Sequence, residues 1–248
     1  MFLINVLYFF TGLILGSFIN VIIYRIPLNL SIVSPRSFCP ECKNTIPLYR
    51  NIPLISYFIQ FGKCNICEKK ISYIYPIVEL SVGIIWLASS FLFINTYDSL
   101  GFAIIASILL AIAVIDYRHF IIPIELSATI FVITSILLCI SSSFISHLSG
   151  LILGTSYLSI ILILTWLITK RQGLGFGDIQ LILVLGFWLG DIRVLITIFL
   201  AAILALIAWL FLSVTTGFNK DRPLPFGTYL SLSSIIIYPI EFNFLNFL

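Results

Sequence analysis

The chain has 248 residues, of which 60% are hydrophobic and 9% are charged, and its formal net charge is +3. Soluble domains carry about 25% charged residues, so this composition excludes a single core surrounded by water. It predicts an all-α polytopic membrane protein whose main surroundings are the lipid bilayer. No basic stripe with interleaved aromatic residues is present, so nucleic-acid binding is not predicted.

The first predicted element is an uncharged membrane helix at residues 2–24. It lacks a basic start and a small-residue cleavage site, so we expect a retained helix rather than a signal peptide. A polar insert follows at 25–73, and the rest of the chain, 74–248, is predicted to be a membrane core. The first helix forms a domain of its own, 1–24. The core adds seven predicted transmembrane helices, for about eight in all, at 74–94, 100–116, 121–144, 148–169, 178–190, 192–214 and 224–247.

The positive charges give this arrangement an orientation. With eight spans, the insert and the loops near 117–120, 170–177 and 215–223 lie on one side of the membrane. That side holds 12 of the 13 lysine and arginine residues, and only Arg193 falls on the other side. Because basic residues concentrate in cytoplasmic loops, the insert is predicted to face the cytoplasm of the cell.

The insert contains two cysteine pairs, "CPEC" and "CNIC". A C-x2-C pair can direct two sulfurs at one metal ion, and four thiolates complete the closed tetrahedral shell of a structural zinc site. A cytoplasmic location is reducing, which disfavours disulfides, although free or redox-active thiols remain an alternative. The predicted zinc ligands are Cys39, Cys42, Cys64 and Cys67.

Three acidic residues within the apolar segments are candidates for function, because a carboxylate in a span costs at least about 2.5 kcal/mol on insertion scales. Asp116 ends the third predicted span and Asp178 begins the sixth, so the predicted topology places both at the same depth. Glu79, in the second span, is a possible supporting residue. The alternatives are a helix cap for Asp178, a local pair with Arg118 for Asp116, and a buried polar contact for Glu79.

Two neighbouring carboxylates favour the chemistry of an aspartic peptidase. Their mutual repulsion disfavours ionising both, so one can polarise a water molecule while the other donates its proton to the carbonyl under attack. The glycines in "GFGD", Gly175 and Gly177, would let an extended substrate backbone approach closely. The pattern matches neither a dinucleotide-binding fingerprint nor a phosphate-binding loop.

The residues also resemble a known family, the bacterial type IV prepilin peptidases of the GxGD aspartic protease group. The resemblance rests on "GSFINVIIYRIP" at 16–27, "RSFCPEC", "NIPLISY" and "GKCNIC" in the insert, "ISYIYPIVEL" at 71–80, "GFGD" at 175–178 and "PFGTYL" at 225–230. Three departures from the family pattern are Gln180, where a lysine is common, Pro123-Ile124-Glu125, where "PD" often occurs, and Thr228, where the pattern reads PFGPYL.

The resemblance implies a bacterial inner-membrane enzyme that removes the leader of prepilins or pseudopilins at the cytoplasmic face. It maps the two family aspartates onto Asp116 and Asp178. It also implies N-methylation of the new N-terminus with S-adenosylmethionine, without indicating which residues bind that cofactor. Two alternatives come from other classes: an ion or proton transporter that uses the membrane carboxylates, and a scaffold with a zinc-binding head.

Overall fold

The computed structural model describes residues 2–140, 144–170, 175–219 and 223–240. Several residues used in the sequence predictions lie outside these ranges. They include three residues of the basic loops (Arg171, Lys220 and Arg222) and the end of the last predicted span, 241–247.

The described part of the chain is helical, which confirms the predicted fold class. Its only pairings outside helices and turns are two isolated β-bridges in the insert. The helices are α1 (Phe2–Arg25), α2 (Ile55–Ile59), α3 (Ile74–Leu92), α4 (Thr96–His119), α5 (Ile124–Ile140), α6 (Phe144–Thr169), α7 (Phe176–Leu189), α8 (Asp191–Thr216) and α9 (Phe226–Ile237), with short 3₁₀ turns at Ile26–Leu28 and Leu48–Arg50.

Each of the eight predicted membrane segments contains a helix, but these helices differ in length. Five of them, α1, α3, α4, α6 and α8, are long and apolar enough to cross a membrane. The helices α5, α7 and α9 have 17, 14 and 12 residues. A helix rises 1.5 Å per residue, so α7 covers only about 21 Å of a hydrocarbon core of about 30 Å.

The chain divides into two compact units, Met1–Ala111 and Ile112–Leu248. In the first unit, α1 packs along α3 through the glycines of a G-x-x-x-G pattern, Gly12 and Gly16. A methyl group on Gly16 would lie 2.7 Å from the Glu79 Cα atom, so the two helix backbones are nearly in contact. Small residues at this spacing are the usual means by which membrane helices approach closely.

The insert of the first unit contains two loops of the same design. In each loop, the amide four residues after the first cysteine donates to that cysteine's carbonyl oxygen, from Lys43 to Cys39 and from Glu68 to Cys64, both at 2.9 Å. Lys43 and Glu68 also share a positive φ, of 60° and 56°. The two C-x2-C segments therefore form equivalent turns, which orient both cysteine pairs in the same way.

The second unit is built around α7. Most of this helix is buried, including Leu181, Ile182 and Leu185, which are fully enclosed. The helix α6 packs closely against α7, because Gly150 of α6 contacts the backbone of Gly186 and Gly190. The helix α9 packs on α7 and α8, which brings the first turns of α7 and α9 to the last turn of α4.

Candidate active site and metal site

Asp116 lies in the last turn of α4, and its side chain is buried. Its Oδ2 atom accepts hydrogen bonds from the Thr228 amide at 2.7 Å and from the Thr228 hydroxyl at 3.1 Å. These contacts hold the carboxylate against α9. The described contacts of Asp116 include no ion pair with Arg118, the local partner considered from the sequence.

Asp178 is the third residue of α7 and is also buried. The amide of Gly175 donates to its Oδ2 atom at 3.1 Å, so the carboxylate caps its own helix. The same carboxylate also interacts with the amide of Gly227 and with the charge of Asp116. Asp178 therefore makes the helix-capping contact considered from the sequence. Its carboxylate also has neighbours on two other helices, Gly227 of α9 and Asp116 of α4.

The first turn of α9 links the two carboxylates. Gly227 and Thr228 are consecutive residues, and their amides face Asp178 and Asp116 respectively. Backbone geometry places consecutive amide nitrogens only about 3 Å apart. Amides in the first turn of a helix have no intrahelical acceptor, and the helix dipole favours negative charge there. The structure thus brings Asp116 and Asp178 together around one helix N-terminus.

Ile122, in the turn between α4 and α5, packs beside this pair. A methyl group on Gly177 would lie 3.2 Å from the Ile122 Cβ atom, and one on Gly227 would lie 2.6 Å from its Cδ1 atom. A methyl group on Gly175 would meet nothing closer than 3.4 Å. In this structure, the tight space at Gly177 is therefore filled by a neighbouring isoleucine, while the space at Gly175 is comparatively open.

Glu79 is buried in α3 of the first unit. It accepts a hydrogen bond from the Leu54 amide at 2.8 Å and interacts with the Ser17 side chain. Leu54 has φ +60° and ψ −53°, an uncommon backbone conformation for a residue with a side chain. These contacts fasten the insert to α1 and α3, as the buried-polar interpretation of Glu79 expects. Its supporting role in catalysis stays a prediction.

The four insert cysteines converge on one point. Their Sγ atoms all lie within 4.8 Å of one another, so they can hold one metal ion. Hydrogen bonds from the amides of Cys67 and Ile66 lower the pKa of the Cys64 thiol to about 6. A thiol of low pKa is readily available as a thiolate, which is the form that binds metals.

The first unit also contains a cavity of about 190 Å³ beside the end of α1. Its lining is mainly apolar, and its charged members are Arg25 and Arg36. The Arg25 side chain is already engaged, because it donates to the carbonyl oxygens of Ser31, Pro35 and Arg36. Small-molecule sites usually have volumes of about 300–1,000 Å³, so this cavity is smaller than most of them.

Sequence reasoning missed three residues that surround the aspartates: Ile122, Gly227 and Thr228. The segment "PFGTYL" was informative only as a family resemblance, and its threonine stood out only as a departure from the pattern. Contact between residues more than 100 positions apart, as between Thr228 and Asp116, leaves no periodic signal in a single sequence.

Comparison with known proteins gives consistent matches along the chain. Residues 10–93 match the family model for the bacterial peptidase A24 N-terminal domain, and residues 103–210 match that for the type IV leader peptidase family. The matching curated relatives include three proteins named prepilin leader peptidase/N-methyltransferase. The Bacillus subtilis protein is 34% identical, over 95% of this chain and 94% of its own length.

The other two relatives show comparable identity and coverage. The Vibrio cholerae protein is 34% identical, over 94% of this chain and 95% of its own length. The Neisseria gonorrhoeae protein is 30% identical, over 92% of this chain and 87% of its own length. No solved structure matches the chain.

Proposed function

The chain belongs to the type IV leader peptidase family, and we propose that Asp116 and Asp178 are the carboxylates with which it removes the leader peptide of prepilins or pseudopilins. The observation that carries this assignment is the first turn of α9, whose consecutive amides face the two side chains. Such an arrangement fixes both carboxylates for joint action on one substrate bond.

In the proposed reaction, one aspartate is ionised and the other keeps its proton. The ionised aspartate takes a proton from a water molecule as that water attacks the peptide carbonyl carbon. The protonated aspartate donates a hydrogen bond to the carbonyl oxygen, and a proton then passes to the leaving amine. In the proposed active-site loop, Gly175 keeps the backbone before Asp178 slim enough for an extended peptide to lie alongside it, whereas Gly177 makes room for Ile122.

The protein is a multi-pass membrane protein, and we propose that its active site and insert face the cytoplasm of a bacterial cell. The support is the distribution of basic residues, since 12 of 13 belong to the insert or to loops assigned to one side. A substrate bond just before a hydrophobic helix would then be cut at the inner face of the membrane. The substrate helix itself would approach through the lipid.

For the metal site, we propose structural zinc. A tetrahedral zinc ion with Zn–S bonds of about 2.3 Å places its sulfurs about 3.8 Å apart. The Sγ atoms of Cys39 and Cys67 lie 3.9 Å apart, which fits this geometry. Four protein ligands leave no open position, so the ion would stabilise the insert rather than take part in the reaction.

The relatives are named as N-methyltransferases, and we propose that this chain also methylates the new N-terminus. S-adenosylmethionine would supply the methyl group when bound. The cavity beside α1 does not fit this cofactor. It is smaller than usual ligand sites, and its charged lining consists of arginines, whereas the cofactor carries a sulfonium and an ammonium. We therefore assign no cofactor residues and derive no step through the cofactor.

Co-expression with a prepilin and mass spectrometry of the product test both activities. We expect leader loss together with one additional methyl group. The variants Asp116→Asn and Asp178→Asn should each abolish leader removal, because an amide can neither accept the proton of the water nor replace the protonated acid. Asp191→Asn is the matched control, since Asp191 also lies in the first turn of a helix of the second unit but is not a member of the Asp116–Asp178 pair.

Full cleavage by either of the two aspartate variants, with the control also active, would contradict the assignment. The transporter alternative makes a different prediction, namely proton flux in liposomes that is lost in the same variants. None of the named relatives supports that alternative.

A further inference from the structure

We propose that Thr228 is a positioning residue of the peptidase reaction, whose hydroxyl orients the Asp116 carboxylate and remains hydrogen-bonded whether that carboxylate is charged or neutral. The inference rests on the proposed function of Asp116. Thr228 is the third residue of α9 and is buried, so its polar atoms must find partners within the protein.

Both donors of Thr228 meet the same carboxylate oxygen. The amide lies 2.7 Å and the hydroxyl 3.1 Å from Asp116 Oδ2. Two donors at one oxygen fix the plane of the carboxylate and leave the second oxygen, Oδ1, free of both contacts. Asp116 therefore has one oxygen for orientation and one for proton transfer, which is the division that a general base requires.

The hydroxyl has a second acceptor within reach, the Ala113 carbonyl oxygen at 3.0 Å. A hydroxyl has one proton to donate, so it can serve only one of these two acceptors at a time. When Asp116 is charged, the proton points to the carboxylate. When Asp116 has accepted a proton on Oδ1, Oδ2 becomes a weaker acceptor, and the hydroxyl can turn to the Ala113 carbonyl oxygen instead.

This choice of acceptors matters because Asp116 changes protonation state during each turnover. A fixed donor, such as the Thr228 amide, favours only the charged form. A rotating hydroxyl avoids leaving a buried polar group unpaired in either state, and unpaired buried groups are costly. A purely structural threonine would need only the bond to Ala113, so the contact with Asp116 distinguishes the two roles.

Thr228→Val tests the hydroxyl alone, since valine keeps the shape and the backbone amide. We expect kcat for leader cleavage to fall about tenfold, as for loss of one hydrogen bond to a charged group, with KM within about twofold. Thr228→Ser restores the hydroxyl and should recover kcat to within about threefold of the wild type. The assay follows initial rates of prepilin cleavage by the full-length protein in lipid vesicles, together with its melting temperature.

Thr197→Val is the matched control. Thr197 is buried in α8, and its hydroxyl has no hydrogen-bond partner among the described residues. This variant makes the same change in shape without breaking a bond to a carboxylate, so kcat should stay within about twofold of the wild type. If Thr228→Val does not fold, Thr228→Ala provides the same loss of the hydroxyl with less crowding.

Three results would overturn the inference: unchanged kcat in folded Thr228→Val, no recovery in Thr228→Ser, or an equal loss in Thr197→Val. Failure of the proposed function gives a different result, because Asp116→Asn would then keep its activity. An inactive Asp116→Asn variant together with a fully active Thr228→Val variant contradicts only the role of Thr228.

Discussion

Gly227→Ala should separate the geometry of the aspartate pair from the stability of the helix bundle. The new methyl group would lie 2.6 Å from Ile122 Cδ1 and 3.1 Å from Asp116 Oδ2, whereas ordinary contacts begin near 3.4 Å. The end of the Ile122 side chain can rotate away. The Asp116 carboxylate cannot, because the adjacent Thr228 amide holds it at 2.7 Å.

The displacement sets the expected size of the effect. Restoring ordinary contact moves the carboxylate by a few tenths of an ångström relative to α9. Since a misplacement of 1 Å costs about 10²-fold in rate, we expect kcat for leader cleavage to fall about fourfold. Crowding should also lower the free energy of unfolding by about 1–3 kcal/mol.

The control is Gly154→Ala in α6. A methyl group there would lie 2.8 Å from Val194 Cγ2, so the crowding is similar, but the crowded group is an aliphatic side chain rather than an aspartate. Initial cleavage rates and melting temperatures of both variants should show a loss of kcat only for Gly227→Ala. Wild-type kcat in a folded Gly227→Ala variant would refute the reasoning, as would equal losses of kcat in the two variants.

Three further predictions concern the first unit. Cys64→Ser should prevent binding of the proposed zinc ion and unfold the insert, because structural zinc would supply about 10–16 kcal/mol of folding free energy. Zinc content and protease sensitivity of the insert measure this, and a variant that holds zinc like the wild type would contradict it. Glu79→Ala should lower the free energy of local unfolding around Leu54 by about 1–3 kcal/mol, because the Leu54 amide loses its acceptor. Glu79→Gln keeps an acceptor for the Leu54 amide, so the rate of hydrogen exchange at Leu54 should rise only in the alanine variant. Arg25→Lys should expose the turn after α1 to proteolysis, because one ammonium cannot replace a guanidinium that reaches three carbonyl oxygens within 3.2 Å; unchanged cleavage would argue against this role.

Much of the helical fold was predictable because a membrane helix requires a long uncharged segment. The predicted span 74–94 corresponds to α3 at Ile74–Leu92, and 192–214 corresponds to α8 at Asp191–Thr216. Lengths were less predictable at α5 and α9. Hydrophobic residues precede α5 at Ile121 and Ile122 and follow α9 at Tyr238 and Ile240, so hydropathy alone cannot indicate these helix boundaries.

Packing inside each unit depended on features that the hydropathy pattern does not weigh. The glycines at 12 and 16 in α1, and at 150 and 154 in α6, determine which helices approach closely, although they add little to a hydropathy sum. The repeated turn at the two cysteine pairs was hidden because it is defined by backbone hydrogen bonds and by positive φ at Lys43 and Glu68, two residues with unlike side chains.

The aspartates and cysteines were predictable as candidates because charges in spans and paired cysteines are chemically unusual. Their surroundings were not. Ile122 looks like any aliphatic residue in a turn, and the amides that face the aspartates belong to the backbone, which every sequence has.

The hydrogen bond between Asp116 and α9 also determines when the site can assemble during synthesis of the chain. Thr228 follows Asp116 by 112 residues, so the ribosome adds it roughly 6–22 s later at ordinary elongation rates of about 5–20 residues per second. A nascent chain inserted only through α8 already carries both acids but not the amides that align them. The proposed catalytic arrangement therefore forms late in biogenesis, only when α9, one of the shortest helices, enters the bilayer.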